Sequence, residues 1–166
     1  MKNMTLPAKN SNRLLIAVLT VLTVFFAGCK DKNAPESFNG NVARPTWTAP
    51  EVSDITSSMT AVIKVDLKAQ YPETAADWQP GVNDLLAAFS GETCLGVAQP
   101  QDGLFFLYIA APVTGNPSSV TLRYYCAHYK NLFEAKDAFP FRNDDHLGTI
   151  AEPFKPAFVV AKNQKL

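Results

Sequence analysis

Residues 58–68 read Ser-Met-Thr-Ala-Val-Ile-Lys-Val-Asp-Leu-Lys, and this stretch decides the fold class. Every second residue in it is apolar, and this apolar set is Met59, Ala61, Ile63, Val65 and Leu67. Successive side chains of a β-strand point to opposite faces, so a period of two predicts a strand with one buried face. The same alternation returns over residues 120–128, which gives the domain a second half-buried strand.

Shorter extended runs lie around these two stretches and are separated by turn residues. Residues 84–90 and 94–99 flank Gly91 as the arms of a hairpin, and residues 104–109 are dense enough in large side chains to predict a strand covered on both faces. Pro140, Pro153 and Pro156 restrict the later runs to sheet edges or strand ends. About seven extended runs without a long helical segment predict an all-β domain, a single antiparallel β-sandwich of Ig-like or jelly-roll-like type.

The first 28 residues have the organisation of an export signal. Three basic residues and no acidic ones precede the apolar run 14–26, and small residues follow it. The run is 13 residues long, shorter than the ~20 that a helix needs to cross a bilayer. The tetrad Phe26-Ala27-Gly28-Cys29 resembles the lipobox of bacterial lipoproteins. The resemblance implies cleavage before Cys29 and acyl chains on that residue, which together anchor the protein stably to a membrane.

These features divide the chain into a signal peptide (residues 1–28), a lipid-anchored tether (29–52) and a sandwich domain (53–163). The tether is predicted from its polar composition, its prolines and its lack of periodicity. A hydrophobic fraction of 47% excludes wholesale disorder. Without the signal peptide, 12 basic residues (15 minus 3) oppose 15 acidic ones, and the mature chain is mildly acidic. This balance argues against a nucleic acid partner, because phosphates are bound by basic surfaces.

Several pieces of the domain follow one another in a characteristic order. They are Met59-Thr60, residues 84–98 with Gly91-Glu92-Thr93-Cys94, the aromatic strand 105–109, residues 120–125 and Leu147-Gly148-Thr149. This order resembles a small β-sandwich domain of Bacteroidetes cell-surface proteins and lipoproteins, which often repeats beside type IX secretion signals. The resemblance covers roughly residues 59–158. It implies an accessory or adhesive surface module, and it brings no catalytic residues.

Two cysteines remain after lipidation, Cys94 and Cys126, and both lie on predicted strands. Export permits a disulfide between them if the strands are neighbours with Cα atoms within roughly 7 Å. Two buried free thiols, which pack as small hydrophobic side chains, are the alternative. Neither cysteine has a partner at close metal-ligand spacing, so we expect no zinc site.

The aromatic residues supply the candidate ligand contacts. Trp78 lies in a polar loop, Tyr125 lies opposite the more apolar row of its strand, and Tyr129 follows that strand. If these three rings are exposed, they can stack on sugar rings. Burial in the core of a small sandwich is the alternative for all three.

Acid–base chemistry would have to use one of two histidines, His128 or His146. No Gly-x-Ser-x-Gly elbow exposes a serine nucleophile to either of them. Asp144-Asp145-His146 is the densest polar cluster, but no further acidic residue follows at the spacing of a calcium loop, so a solvated turn is favoured. We therefore expect no catalytic residue, no metal and no cofactor.

The sequence thus predicts a non-enzymatic, membrane-anchored binding or adhesion module with a glycan or an envelope protein as its partner. A structural subunit of an envelope assembly and a small hydrolase that uses His128 or His146 are the alternatives. Lys30 follows the lipidated cysteine where an Asp would retain a lipoprotein in the inner membrane of enteric bacteria, so the outer membrane is favoured. Its periplasmic face and the cell surface both stay open.

Overall fold

The alternating stretches form two facing sheets, and the predicted β-sandwich is confirmed. The structure, a computed structural model, describes residue 38, residues 40–113, residue 115 and residues 117–162. The predicted signal peptide and Cys29 lie outside these residues. Over the described ranges, no helix combines the length and the hydropathy that a membrane span requires.

Sheet A contains β1 (Ile55–Ile63), β4 (Pro100–Gln101), β5 (Leu104–Pro112) and β9 (His146–Leu147), in the spatial order β4-β5-β1-β9. Sheet B contains β2 (Leu85–Ser90), β3 (Thr93–Ala98), β6 (Ser119–Cys126), β7 (Asn131–Ala135) and β10 (Phe158–Val160), in the order β10-β7-β6-β2-β3. The short strand β8 (Phe139–Pro140) pairs with β6. The described strands pair antiparallel except β1 and β9, which run parallel, and Ile63 at the end of β1 forms one further parallel bridge with Phe154.

β1 carries the stretch that decides the fold, and its odd-numbered residues from Met59 to Ile63 are buried between the sheets. The strand ends at Ile63, earlier than the alternation does. Asp66 then accepts a hydrogen bond from the Ala69 amide and caps the short helix α1 (Leu67–Gln70). Leu67 is still buried, but on this helix, because a side chain can remain in the core after the backbone has left the sheet.

The strand β2 of sheet B is buried on both faces. The side chains of β2 from Leu85 to Phe89 are all buried, and the inner ones join the main core while Leu85 joins a second cluster. The second cluster forms under residues 40–50, and we call these residues together with Phe38 the strap. Three contacts bind the strap to the sheet: the Val42 amide donates to the Lys130 carbonyl at 3.0 Å, Arg44 Nε donates to the Asn83 carbonyl at 3.3 Å, and the Trp47 ring packs edge-on against Phe89 at 5.5 Å.

The strap corrects the predicted start of the domain. The sequence predicts a tether as far as residue 52, yet Phe38 is 5% exposed and its ring lies 4.9–5.2 Å from the rings of Tyr71, Tyr129 and Phe133. Single apolar residues in an irregular segment can each fill one gap over a sheet, and such packing has no sequence period. The rest of the predicted tether, residues 29–37, lies outside the described residues.

One strand passes from sheet B to sheet A. β3 continues after Gln99 into β4, which pairs with β5, so the two sheets meet along this side of the sandwich. Gly96 permits the close approach, since a Cβ atom there would lie 2.0 Å from the backbone oxygen of Tyr108 on β5.

Candidate functional site

The outer face of sheet A exposes two large aromatic side chains. Phe106 is 43% and Tyr108 is 51% exposed, while Phe105, Leu107 and Ile109 on the same strand are buried. The prediction that this strand is covered on both faces is therefore wrong. Apolar residues occupy both faces of β5, so its sequence does not reveal that one of them points to solvent.

Strand register places three further side chains beside these rings. Tyr108 pairs with Thr60 on β1, Thr60 pairs with His146 on β9, and Phe106 pairs with Val62. Residues paired in this way lie side by side on one face, with Cβ atoms about 5 Å apart. We call this surface the platform, and its members are Thr60, Val62, Phe106, Tyr108 and His146. Thr60 Oγ1 and His146 Nδ1 are hydrogen-bonded at 2.6 Å, which fixes the imidazole against the sheet.

The segment that carries His146 is bound along the edge of β1. The Thr60 amide donates to the Asp145 carbonyl at 3.0 Å, and the Asp144 amide donates to the Ser58 carbonyl at 2.7 Å. Gly148 has a φ of 76°, and a Cβ atom there would lie 2.6 Å from the Val62 carbonyl oxygen. The segment Asp144-Asp145-His146, which is predicted as a solvated turn, is thus also hydrogen-bonded to β1, and this fixes the position of the His146 imidazole. Within the described residues, no group of three His, Cys, Asp or Glu side chains could hold a metal ion.

The three aromatic residues predicted as stacking positions do not form an exposed set. Trp78 and Tyr125 are each 5% exposed, so the prediction is wrong for both. The Trp78 loop folds onto the core, where the indole packs edge-on against Tyr124, and the strap covers Tyr125, whose hydroxyl donates to the Val42 carbonyl at 3.3 Å.

Tyr129, the third predicted stacking residue, is half-buried. It packs on Phe38, and its hydroxyl donates to the Thr74 carbonyl at 3.3 Å. Burial raises the pKa of the hydroxyls of both Tyr125 and Tyr129. Both phenols therefore serve as buried donors in the fold, and the stacking hypothesis has no support at these positions.

Cys94 and Cys126 are free thiols, so the disulfide alternative is wrong. Cys94 pairs with Phe89 at one end of β2, and Phe89 pairs with Thr121 on β6, five residues before Cys126. The two cysteines are therefore separated by two strand spacings and by about 17 Å along the strands, far beyond the roughly 7 Å that a disulfide tolerates. Burial raises the pKa of both thiols.

A buried carboxylate that the sequence did not single out joins the start of β2 to the end of β6, at one end of sheet B. Asp84 is 1% exposed and accepts hydrogen bonds from the Gly81 amide at 3.0 Å, from the Ala127 amide at 2.8 Å and from the Tyr124 hydroxyl. These donors occupy both carboxylate oxygens, as burial of a charge requires. Asp84 precedes a strand directly, where Asp usually marks a turn, so its sequence position gives no sign of burial.

The same carboxylate borders an open depression of about 570 Å³ that His128 and Asp77 also line. His128 itself is exposed, and its ring lies against Tyr129 with centroids 4.6 Å apart. Among the described residues, no carboxylate forms a hydrogen bond with the imidazole of either His128 or His146. His146 has Thr60 as its partner instead, so these two residues have the geometry of a nucleophile and a base.

No protein-family model, no curated protein and no solved structure matches this chain. The resemblance to surface modules of Bacteroidetes therefore stays a prediction. The residues of the chain itself then carry the evidence for its function, and the platform stands out among the described surfaces because it exposes two neighbouring aromatic rings.

Proposed function

We propose that the chain is a lipid-anchored, non-enzymatic binding module of the bacterial envelope, with the platform as its contact surface. The observation that carries the proposal is the difference between the two outer faces of the sandwich. The strap covers the apolar part of the outer face of sheet B, which contains Leu85, Tyr125 and Leu132, whereas the outer face of sheet A leaves Phe106 and Tyr108 about half exposed.

Exposing two neighbouring aromatic rings to water is unfavourable, and this supports a binding role for the surface. Scattered apolar side chains are ordinary on protein surfaces, but two neighbouring aromatic rings on one flat strand face form an apolar patch, and such patches mark interaction sites. The remaining exposed large hydrophobic residues of the described chain, Val82, Val113 and Ile150, are single aliphatic side chains outside the strands. The platform is thus the surface of the domain best suited to a ligand.

The lipid anchor would keep this surface close to a membrane. Nine residues lead from Cys29 to Phe38, the first buried residue of the domain, and this length of chain spans at most about 30 Å. A mature lipoprotein of this design would work at the outer membrane, either on its periplasmic face or at the cell surface.

Metabolic labelling with a palmitate analogue tests the anchor. We expect label on the wild-type chain and its partition into the detergent phase of Triton X-114, and we expect the Cys29→Ser variant to lose both properties. Cys94→Ser is the matched control, because Cys94 is the most accessible cysteine that the structure describes and should leave labelling unchanged. Equal labelling of the wild type and Cys29→Ser would refute the proposed anchor.

A second candidate function is a small hydrolase that uses His146. The hydrogen bond of 2.6 Å between Thr60 Oγ1 and His146 Nδ1 favours it, because a base in this position can take the proton of a hydroxyl nucleophile. Hydrolysis of p-nitrophenyl esters by the wild type that disappears in both Thr60→Val and His146→Ala would support this function. Equal rates in all three proteins would exclude it for this substrate class.

A further inference from the structure

We infer that the platform binds a neutral glycan, whose sugar rings stack on Phe106 and Tyr108 while Thr60 and His146 bond to its hydroxyls. The inference rests on the proposed function, since it names the ligand class of the same surface. The stacking, the polar groups and the charge of the platform each support it.

The two rings are arranged for a chain of sugars. Phe106 and Tyr108 are two residues apart on β5, so they project from the same face about 7 Å apart along the strand. Each ring leaves about half of its surface to solvent and is backed by the pleated sheet. Sugar rings have an apolar face of C–H groups, and stacking this face on an aromatic ring buries apolar surface on both partners.

The polar groups lie where the edge of a stacked sugar would reach. Thr60 lies beside Tyr108 in the register, and His146 follows on the next strand. The bond between Thr60 and His146 uses Nδ1 of the imidazole, and no described residue forms a hydrogen bond with Nε2, so either tautomer leaves this nitrogen for a ligand hydroxyl. The Tyr108 hydroxyl adds a further donor and acceptor. Sugar hydroxyls need such mixed donors and acceptors, since each hydroxyl can play both roles.

Charge and size favour a neutral glycan over a protein. The two cross-strand pairs, Tyr108 with Thr60 and Phe106 with Val62, contain no acidic or basic side chain, so these four residues offer no ion pair, and the imidazole of His146 is the one basic group of the platform. A stable protein interface needs about 800 Å² from each partner. The five side chains of the platform expose much less area than this, since three of them are small or half covered. One or two sugar units need no more than the area that the platform exposes.

Affinity electrophoresis of the full chain in detergent tests the inference. Native gels would contain one neutral polysaccharide each, namely hydroxyethylcellulose, xylan, laminarin or mannan, and polygalacturonate would serve as the acidic comparison. We expect at least one neutral polysaccharide to retard the wild type more than polygalacturonate does. Tyr108→Ala and Phe106→Ala should each weaken that retardation about tenfold, which corresponds to about 1.4 kcal/mol. Tyr108→Phe should stay within about threefold of the wild type, since it retains the ring.

Val82→Ala is the control, because Val82 is 78% exposed but lies in the loop before β2 and outside the platform. All the variants change exposed side chains, and equal urea midpoints would verify their folding. Normal migration of the wild type in every neutral gel, or equal retardation of Tyr108→Ala and Val82→Ala, would overturn the inference. So would flotation of the Cys29→Ser chain with phosphatidylcholine vesicles that depends on Tyr108, because the platform would then contact lipid. None of these outcomes changes the palmitate result, so the two proposals fail separately.

Discussion

Replacing Phe38 with alanine tests whether the chain before residue 52 belongs to the domain. Its side chain is 5% exposed and forms close contacts with three aromatic rings. Truncating a buried phenylalanine to alanine costs about 3–5 kcal/mol, because apolar contacts are lost and a cavity remains. Single domains have about 5–15 kcal/mol of stability in total, so the change should remove a third or more of it in most of that range.

Urea unfolding of the full chain, followed by tryptophan fluorescence, measures this loss. Both tryptophans, Trp47 and Trp78, report on the domain, since Trp47 belongs to the strap and packs against the second cluster while Trp78 lies in the core. Phe106→Ala is the matched control: the same substitution at a side chain that is 43% exposed should cost at most about 1 kcal/mol. A Phe38→Ala variant with the same midpoint as Phe106→Ala would refute the packed strap and restore the tether as first predicted.

Four further outcomes follow from the fold. Asp84→Ala should destabilise the domain by about 1–3 kcal/mol in urea unfolding, because it leaves the buried Tyr124 hydroxyl and the amides of Gly81 and Ala127 without their acceptor, whereas Asp84→Asn should cost less. Gly96→Ala should lower the melting temperature, since a Cβ atom there meets the carbonyl of β5 at 2.0 Å and forces the sheets apart, while Gly91→Ala in the open hairpin turn should do so less. Burial raises the pKa of Tyr124 above the 10.0 of an exposed tyrosine, so the folded state favours the protonated hydroxyl. The contribution of this group to the free energy of unfolding should therefore be fully present below about pH 10 and decrease above it, and Tyr124→Phe should reduce that decrease. Ellman's reagent should label Cys94 before unfolding and Cys126 only after it, and a two-dalton mass increase on reduction would contradict the free thiols.

The sequence predicts most of the sandwich because its half-buried strands alternate cleanly. Over residues 58–63 and 120–126 the apolar row is the buried row, and the strands form there. β5 does not follow this rule, because its outward residues are as apolar as its inward ones. The sequence of β5 therefore does not predict the platform. The pairing of Tyr108 with Thr60 and of Phe106 with Val62 identifies the face of β5 that reaches solvent.

Residues outside the strands were less predictable, for a different physical reason. Trp78 and Phe38 each lie in a polar or irregular segment, and nothing in the neighbouring sequence indicates which part of the core they enter. The same holds for Asp84, whose burial depends on donors that the chain supplies 40 and 43 residues later. Long-range partners of single side chains leave no local pattern, so the sequence yields the strands and not the parts that connect and cover them.

The strap also determines how mechanical load would enter the domain. Among the described residues, tension from the N-terminal side reaches the Phe38 ring and the Val42 amide before it reaches β1, because these contacts precede that strand in the sequence. Peeling of the strap would expose Leu85 and Tyr125 on sheet B while β1 and β5 stay paired. β1 follows the strap along the chain, so the same tension would act next on the sheet that carries the platform, and a ligand bound across β1 and β5 would add contacts at the strand that is loaded first.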